Sequence, residues 1–152
     1  MRRAVTLLSM ACAATIAAPV VASAQTPPAL TESQIRSGGG RQLRLAELKP
    51  MFVGNTLYML TLKQVGSLPA GTVGPVWHPD ERRRYLGTGN DRKLEALWWF
   101  DGDRYCNELR VNGPGQRCYT LWETAGTVYM CRQPEGECIY SVRSVPGNPE
   151  KL

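Results

Sequence analysis

Three groups of residues in this 152-residue chain could carry chemistry, and its single histidine is the first. His78 sits in the run Trp77-His78-Pro79-Asp80-Glu81. An imidazole beside a carboxylate can act as a general base, with Asp80 or Glu81 orienting the ring. A hydrolase would also need a nucleophile, and no Ser or Cys stands in a recognisable elbow. The sequence therefore favours an exposed turn histidine over a hydrolase using His78 with Asp80. The second group is Asp101 and Asp103, which could hold calcium. The further oxygen ligands and terminal Glu of a calcium loop are missing, and a two-residue hairpin turn on Asp101-Gly102 explains the pattern. No metal and no cofactor is expected. The third group is aromatic: Trp77, Trp98, Trp99, Tyr105 and Trp122, with Tyr119, Tyr129 and Tyr140 nearby. Most fall on expected strands, whose side chains alternate, so both faces of a sheet would carry large rings. One set can fill a core, and the other can line a pocket or present a contact surface.

The cysteines depend on the compartment. Arg2 and Arg3 precede an uncharged, Ala-rich run over residues 4–21, and Ala22-Ser23-Ala24 is a small-x-small cleavage site. The run is short for a membrane anchor, so residues 1–24 read as a secretory signal that leaves with Cys12. Cleavage leaves 152 − 24 = 128 residues and a net charge of +5 − 2 = +3. That mild charge implies no nucleic-acid partner. Its one basic cluster, Arg82-Arg83-Arg84, reads as a solvated strand face or edge protection. Four cysteines remain: Cys106, Cys118, Cys131 and Cys138. Zinc sites favour close Cys-x-x-Cys pairs, which are absent, and an even count in an exported chain reads as disulfides.

The elements that must position these groups follow from period and breakers. Residues 25–41 hold Pro27-Pro28 and Gly38-Gly39-Gly40 and read as a flexible tail, with at most one helical turn over 31–36. Residues 45–53 have apolar spacing for one short helix, with Pro50 tolerable only in a first turn and Gly54 just past the end. Strands are expected over residues 57–62, 72–77, 82–86, 94–100, 104–110, 116–123, 127–132 and 137–145. Eight short strands in succession argue an antiparallel meander, mostly β, that curls into a small barrel or packs on the helix. Loops over 110–114 and 133–136 place Cys106 opposite Cys118 and Cys131 opposite Cys138. A turn centred on Thr124-Ala125 would instead oppose Cys118 and Cys131; the pairing 106–118 with 131–138 is favoured, and sequence alone leaves the other open.

The segments "AELKPMFVGNTLY", "LWWFDGDRYCNEL" with "GQRCYTLWE", and "VPGNPEKL" together resemble the domain-of-unknown-function family 995, small exported bacterial proteins. The matching positions are Gly54-Asn55-Thr56, Trp99, Cys106 and Cys118-Tyr119; Cys131 and Cys138 depart from the pattern. The resemblance covers about residues 45–152. It implies export and a stapled fold and brings no established activity. The expected function is thus a non-catalytic binding module of the cell envelope, periplasmic or secreted, for an apolar or glycan ligand. Trp77, Trp98, Trp99, Tyr105 and Trp122 are its candidate ligand-binding set. The alternative is a protein-partner module, an inhibitor or envelope-assembly factor.

Overall fold

The computed structural model describes residues 29–87, 93–108 and 115–152. The expected signal, residues 25–28 of the expected tail, residues 88–92, the end of the expected strand over 104–110 and the expected loop over 110–114 lie outside the described residues.

Eight strands run in succession: β2 (Asn55–Thr61), β3 (Val73–His78), β4 (Arg83–Gly87), β5 (Lys93–Asp101), β6 (Arg104–Glu108), β7 (Gln116–Thr124), β8 (Thr127–Arg132) and β9 (Glu137–Pro146). Each pairs antiparallel with the next, and β9 returns to pair with β2, closing an eight-stranded barrel. Closure gives each of the eight strands a neighbour on both sides, which an open sheet could not do. A two-residue strand, β1 (Arg41–Gln42), adds to β7 beyond the end of β6.

Turn chemistry sets the register. The hairpin between β5 and β6 turns on Gly102-Asp103, one residue later than expected, because Asp101 already pairs with Arg104. Gly102 has φ 59°, as a tight turn with glycine first requires. The hairpin between β7 and β8 turns on Ala125-Gly126, both at positive φ, since Thr124 faces Thr127. That one-residue shift from Thr124-Ala125 places Cys131 opposite Thr120 and removes the 118–131 pairing. Cys106 faces Cys118 and Cys131 faces Cys138, and both pairs are disulfides. Two disulfides point to an oxidising compartment.

Helix α2 (Leu45–Phe52) enters the barrel at the end where β2 begins. Pro50 stands sixth of its eight residues, not in a first turn. It forfeits one intrahelical bond, but in so short a helix packing outweighs that loss. Leu48 and Phe52 are fully buried. Asn55 Nδ2 donates to the carbonyl of Pro50 at 2.7 Å, satisfying one free end. The start is held by Asp103, whose carboxylate accepts from the Leu45 N–H at 2.8 Å and from Arg44 at 2.9 Å.

The expectation of a flexible tail fails for residues 29–41. Helix α1 (Glu32–Ser37) is fixed by a capping box between Thr31 and Gln34. Its Ile35 packs with Trp122 and the Cys131–Cys138 bridge on the outer face of the barrel. Gly40 is there for close approach rather than flexibility, since a Cβ would lie 2.3 Å from the Ile35 side chain.

Candidate functional site

Closing the barrel turns alternate residues of each strand inward. At the α2 end these are large rings. Phe52 lies 5.1 Å from the His78 ring, 5.8 Å from Trp98 and 4.6 Å from Tyr105, centroid to centroid. No room is left. Toward the other end several inward residues are short, Thr61, Gly74, Val76 and Asn107 among them, and the barrel is hollow. The cavity there holds about 880 Å³, within the size range of small-molecule sites. Met59, Val76, Leu86, Tyr119 and Tyr140 give it an apolar wall, and Leu68, Val73 and Lys93 stand at its mouth.

Of the charged residues that line this space, one is buried in the wall. Arg84 is 3% exposed and lines the cavity. Its Nη1 donates to the Tyr105 hydroxyl at 3.0 Å and its Nη2 to Asn107 Oδ1 at 3.1 Å. Its Nε is buried without a partner. None of the ion pairs among the described residues includes it. The reading of Arg82-Arg83-Arg84 as a solvated face is therefore corrected at one position. Arg82 and Arg83 are exposed, and Arg83 pairs with Asp80 at 2.7 Å, but Arg84 points inward. A signal for this was in the sequence: Arg84 shares strand parity with Leu86, so an inward Leu86 carries Arg84 with it.

His78 is also corrected. It ends β3 and is fully buried, not an exposed turn residue. Its Nε2 lies 3.2 Å from the Tyr105 hydroxyl, and Nδ1 has no partner. Burial, helped by the nearby Arg84 charge, lowers its pKa to about 3, so the ring is neutral at ordinary pH. The histidine–carboxylate pair is not assembled. Asp80 accepts from the N–H groups of Arg82 and Arg83 at 2.8 and 2.7 Å, and Glu81 meets Lys49 at 3.3 Å. Burial raises the Asp80 carboxyl, but these bonds and the Arg83 side chain outweigh it, and the net shift is downward.

The five candidate aromatics divide between two places. Trp98 and Tyr105 are buried in the plug at the α2 end. Trp77 stacks on Tyr85 at 5.6 Å, and Trp99 lies beside Cys106 on the neighbouring strand; both are half-buried on the outer face. Trp122 is covered by α1, with the Arg36 guanidinium 5.1 Å from its ring. None of the five lines the cavity; the rings that do are Tyr119 and Tyr140. Asp101 pairs with Arg104 and Asp103 caps α2, and no group of metal-binding side chains forms among the described residues. No helix among them is long and apolar enough to cross a membrane.

Fold and site together define a class: a closed meander barrel, plugged at one end by a helix and hollow at the other. No protein-family model matches the chain, and neither a curated protein nor a solved structure matches it.

Proposed function

We propose that this chain is an exported, non-catalytic carrier that takes an apolar small molecule into the hollow half of its barrel. The observation that carries the reading is the cavity of about 880 Å³, walled by Met59, Val76, Leu86, Tyr119 and Tyr140. An eight-stranded barrel is just wide enough to hold one small ligand when its inward side chains are short. An apolar ligand fits this wall better than a glycan, because aliphatic side chains supply few partners for many hydroxyls. Export after cleavage at Ala24 is supported by the Arg2-Arg3 start, the Ala22-Ser23-Ala24 site and the two disulfides. The resemblance to family 995 agrees with export and adds no activity.

The test uses a neutral apolar dye, N-phenylnaphthylamine, whose fluorescence rises on leaving water. Gly74 faces Met59 across the β2–β3 pairing and lines the cavity, and a Cβ built on it meets nothing within 4 Å. Gly74→Phe therefore starts a ring into the cavity with no clash at its Cβ. The wild-type chain should bind the dye, and Gly74→Phe should weaken binding by about tenfold or more at unchanged fold. A wild-type chain that leaves the dye dark, or a Gly74→Phe chain that binds it equally well, overturns the reading.

A further inference from the structure

A guanidinium that is 3% exposed and pairs with no carboxylate among the described residues is an unusual thing to keep inside a cavity. Removing its charge from water is costly unless a counter-charge returns the lost energy. Tyr105 and Asn107 supply two neutral acceptors, which satisfy hydrogen bonds but not charge. Among the described residues, the one acidic side chain lining the cavity, Glu150, is engaged at the Tyr58 hydroxyl. More positive charge stands close by. Arg117 faces Asn107 across the β6–β7 pairing and lines the same space, and Arg132 faces Tyr119 across β7–β8. Neither forms an ion pair among the described residues. All three guanidinium groups bear on one hydroxyl. Burial first, then Tyr119, push the Tyr140 phenol up, and Arg117, Arg84 and Arg132 pull it down.

We infer that the ligand carries a carboxylate on its apolar body, and that Arg84 binds that carboxylate inside the barrel. This deepens the carrier reading above and rests on it. The geometry of the free donors matches the group. A guanidinium has five N–H donors in a fixed planar fork, and Arg84 spends one from each Nη on Tyr105 and Asn107. The buried Nε–H has no partner, so one donor stays unspent on the edge that can grip two carboxylate oxygens at once. Tyr105 and Asn107 then act as positioning residues, holding the guanidinium plane while the acid enters. Arg117, nearer solvent, adds attraction at the approach.

Displacement of the neutral dye by chain-matched competitors tests this. Dodecanoic acid, ionised at neutral pH, is compared with dodecanol. The wild-type chain should prefer the acid by about tenfold or more. Arg84→Met keeps the bulk, removes the charge, and should bring the ratio of acid to alcohol near unity while the dye still binds. Arg84→Lys, which keeps a charge without the fork, should retain part of the preference. Equal displacement by acid and alcohol in the wild-type chain overturns the inference while leaving the carrier reading standing. So does a preference that survives Arg84→Met. If the wild-type chain binds neither dye nor competitor, both readings fall together. The wild-type comparison decides the matter even if Arg84→Met does not fold.

Discussion

The two ends of this barrel share every strand and differ in what holds them. At the α2 end, Phe52, His78, Trp98 and Tyr105 interlock with centroid spacings of 4.6 to 5.8 Å. At the other end the same strands present Thr61, Gly74, Val76 and Asn107 to an open space. Packed rings gain dispersion and lost water contact; a cavity wall forgoes both. The hollow half has a different support. The described ends of β6 and β7, Glu108 and Gln116, and those of β8 and β9, Arg132 and Glu137, lie toward the open end, and each of these two strand pairs is crossed by a disulfide. One end is stabilised by contact and the other by covalent closure. A cavity can then exist in a domain of this size without the hollow half coming apart.

The largest effect should come from the packed end. Phe52 is fully buried and touches four rings, so Phe52→Ala leaves a void that strands cannot collapse to fill. Urea denaturation should show a loss of about 3–5 kcal/mol. A loss below about 1 kcal/mol would mean that this end is not the structural anchor. The next effect comes from the hollow end. Cys106→Ala with Cys118→Ala opens a bridge spanning 12 residues of sequence. In the chain-entropy account this costs about 2–3 kcal/mol, a fall in melting temperature on the order of ten degrees. Hydrogen exchange should locate the damage. Amides of β6 and β7 should exchange faster while those of α2 keep their protection. Uniform loss of protection would show that the two ends are one cooperative unit, and the comparison would fail.

This division explains what the sequence disclosed and what it withheld. Strand positions were legible to within a residue or two, because period and breakers are local. The pairing of the cysteines needed one further fact, the centring of the β7–β8 turn. That follows from Gly126, which accepts positive φ in the second turn position. The facing of His78 and Arg84 was harder. Alternation fixes which residues share a face, but not which face is inside, and a charged residue on a strand is ordinarily outside. Arg84 reverses that expectation only because the barrel closes around it. The cavity was least legible of all. Its volume is a sum over inward side chains from strands far apart in sequence, and no window of residues contains it. The N-terminal helix was hidden for a related reason. Six residues with one buried side chain carry almost no period, and α1 is held by its docking on Trp122 and the Cys131–Cys138 bridge.

The smallest effect, read at single steps of pH, tests whether the packed end is as dry as its geometry implies. Burial holds the His78 pKa near 3 in the fold, against an ordinary value of about 6.5 in the unfolded chain. Between those values the unfolded chain binds a proton that the folded chain refuses. The unfolded state therefore binds more protons, and stability falls as pH falls through that window. The stabilising contribution is fully present above pH 6.5 and is lost progressively toward pH 3. The slope from one such group is about 1.4 kcal/mol per pH unit at most. Carboxylates held low by their partners, Asp80, Asp103 and Glu47, also favour the fold less as acid rises, but they titrate alike in any variant of His78. His78→Phe replaces the imidazole with a ring that cannot titrate, among Phe52, Trp98 and Tyr105. Urea titrations at pH 7, 6 and 5 should show wild type and variant running parallel above about pH 6.5. Below it, the wild type should lose stability faster by about 1 kcal/mol or more per unit. Parallel curves throughout would mean that water or a counter-charge reaches His78, and that the plugged end is not sealed.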